Sequence, residues 1–155
     1  MSDRNKILFR KINRESQHIL DTFGNYTMEE DPIENNITLT VKHDNRKYAI
    51  KFYGTYPFTK PEVFYNDLEY HSMLIFNQKY FRNYLEQLGI RCLCCESLMC
   101  SNNWTVTTTI MNVFNEIINN RKIVLRMFQS YYVSEICLHN NIYCYELHNL
   151  ILSFM

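Results

Sequence analysis

The first apolar stripe begins near the N-terminus. From about Asp3 to Leu20, the residues Ile7, Leu8, Ile12, Ile19 and Leu20 recur at helical intervals, and Arg4, Lys6, Arg10, Lys11 and Arg14 supply a basic opposite side. Gly24 and the acidic run Glu29-Glu30-Asp31-Pro32 are expected to close this helix and form a loop. The period then drops to two. Ile37, Leu39 and Val41 alternate with Thr38, Thr40 and Lys42, and Tyr48, Ile50 and Phe52 alternate with Ala49, Lys51 and Tyr53. These are half-buried strands of a hairpin turning at Asp44-Asn45. Gly54 ends the second strand, Pro57 and Pro61 bound a rigid connection, and Val63-Phe64-Tyr65 form another short strand. A helix followed by antiparallel strands predicts an α+β fold with a sheet of about four strands.

The helical period returns from Asn77. Tyr80, Phe81, Tyr84, Leu85 and Leu88 share one face, and Gly89 is a suitable stop. Ile110, Val113, Phe114, Ile117 and Ile118 mark a further helix, which Asn119-Asn120 are expected to end. Two more helical stretches are predicted in the tail, the last with Leu147, Leu150, Ile151 and Phe154 on one side. No repeat, low-complexity tract or linker divides the chain. The expected organisation is one domain over residues 1–155, with a core of about 3–119 and a helical C-terminal extension over 120–155.

Composition narrows the function classes. The chain has 155 residues, 46% of them hydrophobic and 21% charged, enough for a core without disulfide staples. Sixteen basic residues balance sixteen acidic ones, which argues against a general nucleic-acid binder. No apolar run reaches the roughly 18 residues of a membrane span, and Met1-Ser2-Asp3-Arg4 lacks the apolar core of a signal peptide. A cytoplasmic location is the expectation. The glycosylation triplets at Asn25, Asn36 and Asn103 then carry no meaning. Of six cysteines, Cys92, Cys94, Cys95 and Cys100 are crowded into one short segment, and Cys137 and Cys144 follow later. Such crowding in a reducing compartment points to a catalytic thiol, a metal site or buried small side chains rather than to a disulfide framework.

The order of motifs resembles the ubiquitin-conjugating (E2) family. Tyr56-Pro57-Phe58-Thr59-Lys60-Pro61-Glu62-Val63 is similar to the family's Tyr-Pro-Phe-x-x-Pro-x-Val signature. Tyr70-His71-Ser72-Met73 stands where the family carries Tyr-His-Pro-Asn, and Gly89-Ile90-Arg91-Cys92-Leu93 resembles the Gly-x-x-Cys-Leu run that presents the active cysteine. Trp104 and Ile110-Met111-Asn112-Val113 match the tryptophan and helix beyond it. The divergence and the composition look like fast-evolving forms found in large DNA viruses, for which the location would be the host cytoplasm. The resemblance covers about Asp3 to Asn119 and implies a UBC-like fold. It also implies an ATP-dependent cascade in which an activating enzyme (E1) loads ubiquitin or a related modifier onto a cysteine as a thioester. The modifier then passes to a ligase (E3) or to a lysine of a protein substrate. No cofactor, metal, nucleic acid or membrane is implied.

Three cysteines compete for the nucleophile. Cys92 has the family's left flank in Gly89 and its following Leu93; Cys94 has the better right flank; Cys95 lies nearest the usual distance before Trp104. Arg91 is expected to lower the pKa of Cys92 and Glu96 to raise that of Cys95, which favours Cys92. His71 is read as a structural histidine bonding to backbone before a catalytic base. Met73 replaces the family's asparagine and has no N–H to offer an oxyanion, a loss that typically costs about 10²–10³ in rate. An insertion containing the Tyr80–Leu88 helix also separates His71 from the cysteines, and Asn77, Asn102 and Asn103 are candidate substitutes for the amide. By the resemblance, Arg4, Lys6, Arg10 and Lys11 meet the activating enzyme and Phe58 meets ligases.

Two alternatives stand beside conjugation. A non-catalytic module of the same fold would hold ubiquitin or a ligase without forming a thioester. A structural zinc site would use Cys92, Cys94, Cys95 and Cys100, but zinc ligands come in paired knuckles and no second pair is evident unless Cys137, Cys144 or a histidine joins.

Overall fold

The computed structural model describes residues 3–87 and 89–139. The side chain of Arg4, residue Leu88, Cys137 as a side chain, Cys144, and the tail stripe Leu147, Leu150, Ile151 and Phe154 lie outside the described residues. The architecture is α+β: an N-terminal helix, a five-stranded antiparallel sheet, and helices after it.

Helix α1 (Asp3–Phe23) buries Asn5, Leu8, Ile12, Ser16, Ile19 and Phe23, a stripe stepping by three or four residues. One such line faces inward, so Ile7, beside Leu8, is 69% exposed, and Leu20, beside Ile19, also faces water. Neither joins the core as their spacing suggested. Gly24, at φ 83°, ends the helix with its N–H on the Leu20 carbonyl (3.2 Å), a left-handed position that favours glycine.

The strands β1 (Tyr26–Asp31), β2 (Asn36–His43), β3 (Arg46–Tyr53), β4 (Glu62–Tyr65) and β5 (Leu68–Glu69) pair in sequence order. The sheet has five strands where about four were expected, and two of them, β1 and β5, had not been located in the sequence. The acidic segment read as a loop is in fact the edge strand β1. It alternates half-buried Tyr26, Met28 and Glu30 with exposed Thr27, Glu29 and Asp31. Its weak apolar signal has a physical reason, because an edge strand tolerates charge and charge deters pairing with other chains. Asn5 on α1 holds it by donating to the Glu30 carboxylate at 2.7 Å. The β2–β3 turn does fall at Asp44-Asn45, where both residues have positive φ, the geometry of a tight hairpin. Asn66-Asp67 repeat that geometry and create β5.

The inward residues Ile37, Leu39 and Val41 of β2, Tyr48, Ile50 and Phe52 of β3 and Val63 of β4 are essentially inaccessible. They are covered by α1 and by the first half of α5 (Ile110–His139), where Phe114 lies 5.3 Å from Phe23 and 5.9 Å from Tyr48 between ring centres. Helix α5 runs through Asn119-Asn120 without stopping. Asn120 spends its side-chain amide on the Tyr70 hydroxyl (2.7 Å), so a tertiary bond offsets its poor helix propensity.

The insertion is helical but begins earlier than its periodicity suggested. Helix α2 (Tyr70–Tyr80) carries His71 and Met73 in its first turn, breaks at Phe81, and is followed by α3 (Arg82–Gln87). Glu69 caps α2 by accepting from the N–H groups of His71 and Ser72 at 3.2 and 2.6 Å. Gly89, at φ 73°, closes α3 as expected.

Candidate functional site

The cysteine segment folds as a single helical turn, α4 (Leu93–Glu96), capped by Cys92 in extended conformation. Leu93 is buried and fixes the turn to the core, which leaves Cys92 and Cys94 half-buried and Cys95 exposed. The turn gathers three sulfurs. Cys92 Sγ lies 3.1 Å from Cys94 Sγ, Cys94 Sγ lies 4.0 Å from Cys95 Sγ, and all three fall within 4.8 Å of one another. Cys100 is half-buried in the following loop and is not part of that group.

Hydrogen bonding makes the three thiols unequal. Burial works against an ionised Cys92, but the Cys95 and Cys94 thiols and the N–H groups of the turn donate to it and hold its pKa below the usual thiol value. The Cys95 N–H reaches Cys92 Sγ at 3.3 Å. Burial and its hydrogen bond to Cys92 push Cys94 up to about 12. Cys95 is raised as well, chiefly by its bond to Cys92. The directions for Cys92 and Cys95 match the sequence reading. The cause differs: neighbouring thiols and N–H groups contribute more than the charges of Arg91 and Glu96.

Four side chains, Asn103, Trp104, Lys60 and Glu116, lock this segment. Asn103 donates to the carbonyls of Cys95 (2.6 Å) and Ser97 (3.0 Å), so its amide is spent on the loop backbone. Trp104 donates through Nε1 to the Pro57 carbonyl at 2.8 Å, and the Lys60 ammonium donates to the Met99 carbonyl. The Tyr56–Pro61 turn and the cysteine loop therefore close on each other. Glu116 of α5 accepts from Ser97 Oγ and the Leu98 N–H, each at 2.6 Å, and from the Tyr70 hydroxyl at 3.2 Å. Sequence reasoning missed Glu116. The only hint was an acidic residue on an apolar helix beside buried Phe114 and Ile117, and nothing in the spacing named its partners.

The other predicted residues separate. Phe58 is 82% exposed at the tip of its turn. Tyr56 is buried, donates to Glu15 on α1 at 2.8 Å, and carries the Lys11 ammonium 5.1 Å above its ring. Lys11 thus supports the turn, while Lys6 and Arg10 are exposed on α1. His71 keeps its backbone N–H on Glu69, but its ring Nδ1 is buried without a hydrogen-bond partner, contrary to the expected bond to backbone. Its helix packs against α4. Met73 packs on the core and lines an apolar cavity of about 340 Å³ with Phe76, Ile117, Val124 and Phe128; no cysteine lines it. Asn77 is buried on α2 and Asn102 is exposed, so among the three candidate amides only Asn103 is bonded to the cysteine turn.

Among the described residues, no helix is long and apolar enough to cross a membrane. Comparison with protein-family models, with curated proteins and with solved structures finds no match.

Proposed function

We propose that the chain is a divergent E2-type transferase with a UBC-like fold, acting in the cytoplasm. It takes ubiquitin or a related modifier from an activating enzyme onto Cys92 and hands it to a ligase or a substrate lysine. The observation that carries this reading is the closure of the Tyr56–Pro61 turn onto the cysteine loop through Trp104 and Lys60. Motifs that the resemblance links are linked here by hydrogen bonds, with α1 tied to the same turn through Glu15.

In the reaction, the Cys92 sulfur attacks the carbonyl carbon of the modifier's C-terminal thioester, a new S–C bond forms, and the activating enzyme's thiolate leaves. An incoming amine or ligase thiol then displaces Cys92. Asn103 serves as a positioning residue, since both its amide bonds hold the backbone around the nucleophile. Lys6 and Arg10 offer the exposed basic surface for the activating enzyme, together with Arg4 by its place in the sequence, and Phe58 offers the apolar contact for a ligase.

Incubation with activating enzyme, ATP and ubiquitin tests this. A thiol-sensitive adduct on the wild-type chain, lost in Cys92→Ser, is the expected result. The reading fails if no ubiquitin-like modifier gives such an adduct.

One observation favours a second reading, a binding module without catalysis. Met73 is committed to an apolar cavity and Asn103 to the loop backbone, so neither supplies an N–H to an oxyanion. Ubiquitin or ligase binding that survives replacement of Cys92, Cys94 and Cys95 by serine, with no adduct on the wild type, would select this module.

A further inference from the structure

We infer that Cys92, Cys94 and Cys95 form a three-thiolate site for one thiophilic cation, monovalent copper being the best match. Three sulfurs bound to one ion at about 2.3 Å lie roughly 4 Å apart. The pairs on the turn stand at 3.1 and 4.0 Å, and all three sulfurs lie within 4.8 Å. Binding therefore needs Cys92 and Cys94 to part by only roughly 1 Å, with no refolding of the segment.

The surroundings suit a thiolate ligand set. Leu93 pins the turn to the core, and Asn103 fixes the carbonyls of Cys95 and Ser97, so the three sulfurs are gathered before any ion arrives. The Cys95 N–H points at Cys92 Sγ and would spread the charge of a bound thiolate. Soft sulfur donors select copper(I) or zinc over magnesium, calcium or manganese. Zinc prefers a fourth protein ligand in a structural site. Among the described residues, no histidine, carboxylate or further cysteine joins the three sulfurs. The spacing argument against zinc thus holds for a four-cysteine site, yet a trigonal site remains, and copper(I) accepts three thiolates. On coordination each thiol gives up its proton to solvent and its sulfur lone pair to the ion, with no change of oxidation state.

One consequence rests on the transferase reading above. Coordination draws charge from the Cys92 sulfur and weakens it as a nucleophile, and acylation turns it into a neutral thioester sulfur that is a poor ligand, so the ion and the modifier exclude each other.

The experiment uses the reduced full-length chain, loaded under anaerobic conditions with copper(I) against a competing copper chelator and, separately, with zinc. Metal per chain is read by atomic absorption, and the protected cysteines by alkylation and mass spectrometry. One copper per chain is expected, with Cys92, Cys94 and Cys95 protected and Cys100 modified. Cys94→Ser and Cys95→Ser should each weaken retention at least about ten-fold, and Cys100→Ser should leave it within about two-fold. Loss of all copper to the chelator, equal retention by the serine variants, protection of Cys100 with the others, or retention of zinc but not copper would each overturn the assignment. Protection on the wild-type chain decides the matter even where a variant fails to fold.

These arms contain neither activating enzyme nor modifier, so they stand or fall apart from the transferase reading. A final arm compares thioester formation by metal-free and copper-loaded chain, with an unrelated conjugating enzyme alongside to register any effect of copper on the activating enzyme. No adduct on the metal-free chain defeats the transferase reading alone. Equal adduct on the loaded chain defeats the mutual exclusion.

Discussion

Replacing Glu116 with alanine should loosen the cysteine loop from the helix behind it. The carboxylate accepts three hydrogen bonds, at 2.6 Å from Ser97 Oγ, 2.6 Å from the Leu98 N–H and 3.2 Å from the Tyr70 hydroxyl. Ser97 and Tyr70 are buried, so their hydroxyls cannot turn to bulk water when the acceptor goes. A donor stranded in that way costs about 1–3 kcal/mol. The three are not additive, since Asn120 still engages the Tyr70 hydroxyl, and a total of about 3–5 kcal/mol is expected. That corresponds to a fall in Tm of about 6–20 °C for a chain of this size. Urea unfolding followed by far-UV circular dichroism, with hydrogen exchange at the Leu98 amide, reads both the loss and its place. Ser97→Ala should cost less, and Glu116→Ala should cost less in the Ser97→Ala background than alone. A Glu116→Ala chain within about 0.5 kcal/mol of wild type would refute the claim that this carboxylate clamps the loop.

Other outcomes follow from the same contacts. Glu69 is partly desolvated, which opposes its charge, but hydrogen bonds from Ser72 and His71 outweigh this and hold its pKa below the usual carboxylate value. A depressed folded value stabilises above the unfolded pKa and is lost as pH falls through the folded one. Glu69→Ala should therefore cost about 1 kcal/mol at neutral pH, and the gap should narrow in melts below about pH 4; a gap independent of pH would contradict the charged cap. Trp104→Phe keeps the aromatic contact with Tyr56 but removes the N–H donated to Pro57, and the urea midpoint should fall by the equivalent of about 1 kcal/mol. Phe58→Ala should leave the melting curve within about 0.5 kcal/mol, because the ring is 82% exposed, while under the proposed function binding to a ligase, read by calorimetry, should weaken by at least about 1 kcal/mol; unchanged binding would remove Phe58 from the proposed interface.

Period and punctuation made much of the fold legible. The alternation in Ile37–Val41 and Tyr48–Phe52, the turn at Asp44-Asn45 and the stop at Gly89 follow from local geometry, and each stands in the structure. Where a strand sits at a sheet edge, that signal weakens. Residues Tyr26–Asp31 are half charged because, among the described residues, no strand pairs with the outer side of β1, and no local rule separates such a strand from an acidic loop. Asn119-Asn120 failed as a stop for a related reason. Tyr70, 50 positions from Asn120 in the chain, supplies the bond that makes an asparagine acceptable inside a helix.

By itself the sequence determined an α+β chain with crowded thiols between a helix-ending glycine and a tryptophan, because periodicity, turn chemistry and residue type are local properties. Only the tertiary structure decided how those thiols stand to one another and what holds them. It brought Cys92, Cys94 and Cys95 together, left Cys100 aside, moved Met73 to an apolar cavity and set Asn103 and Glu116 behind the loop. The reason is physical: a sulfur's ionisation is set by burial and by donors within a few ångströms, and although those donors lie on the cysteine turn itself, the turn is held in place by a buried core and by Glu116 of α5, which folds back from further along the chain.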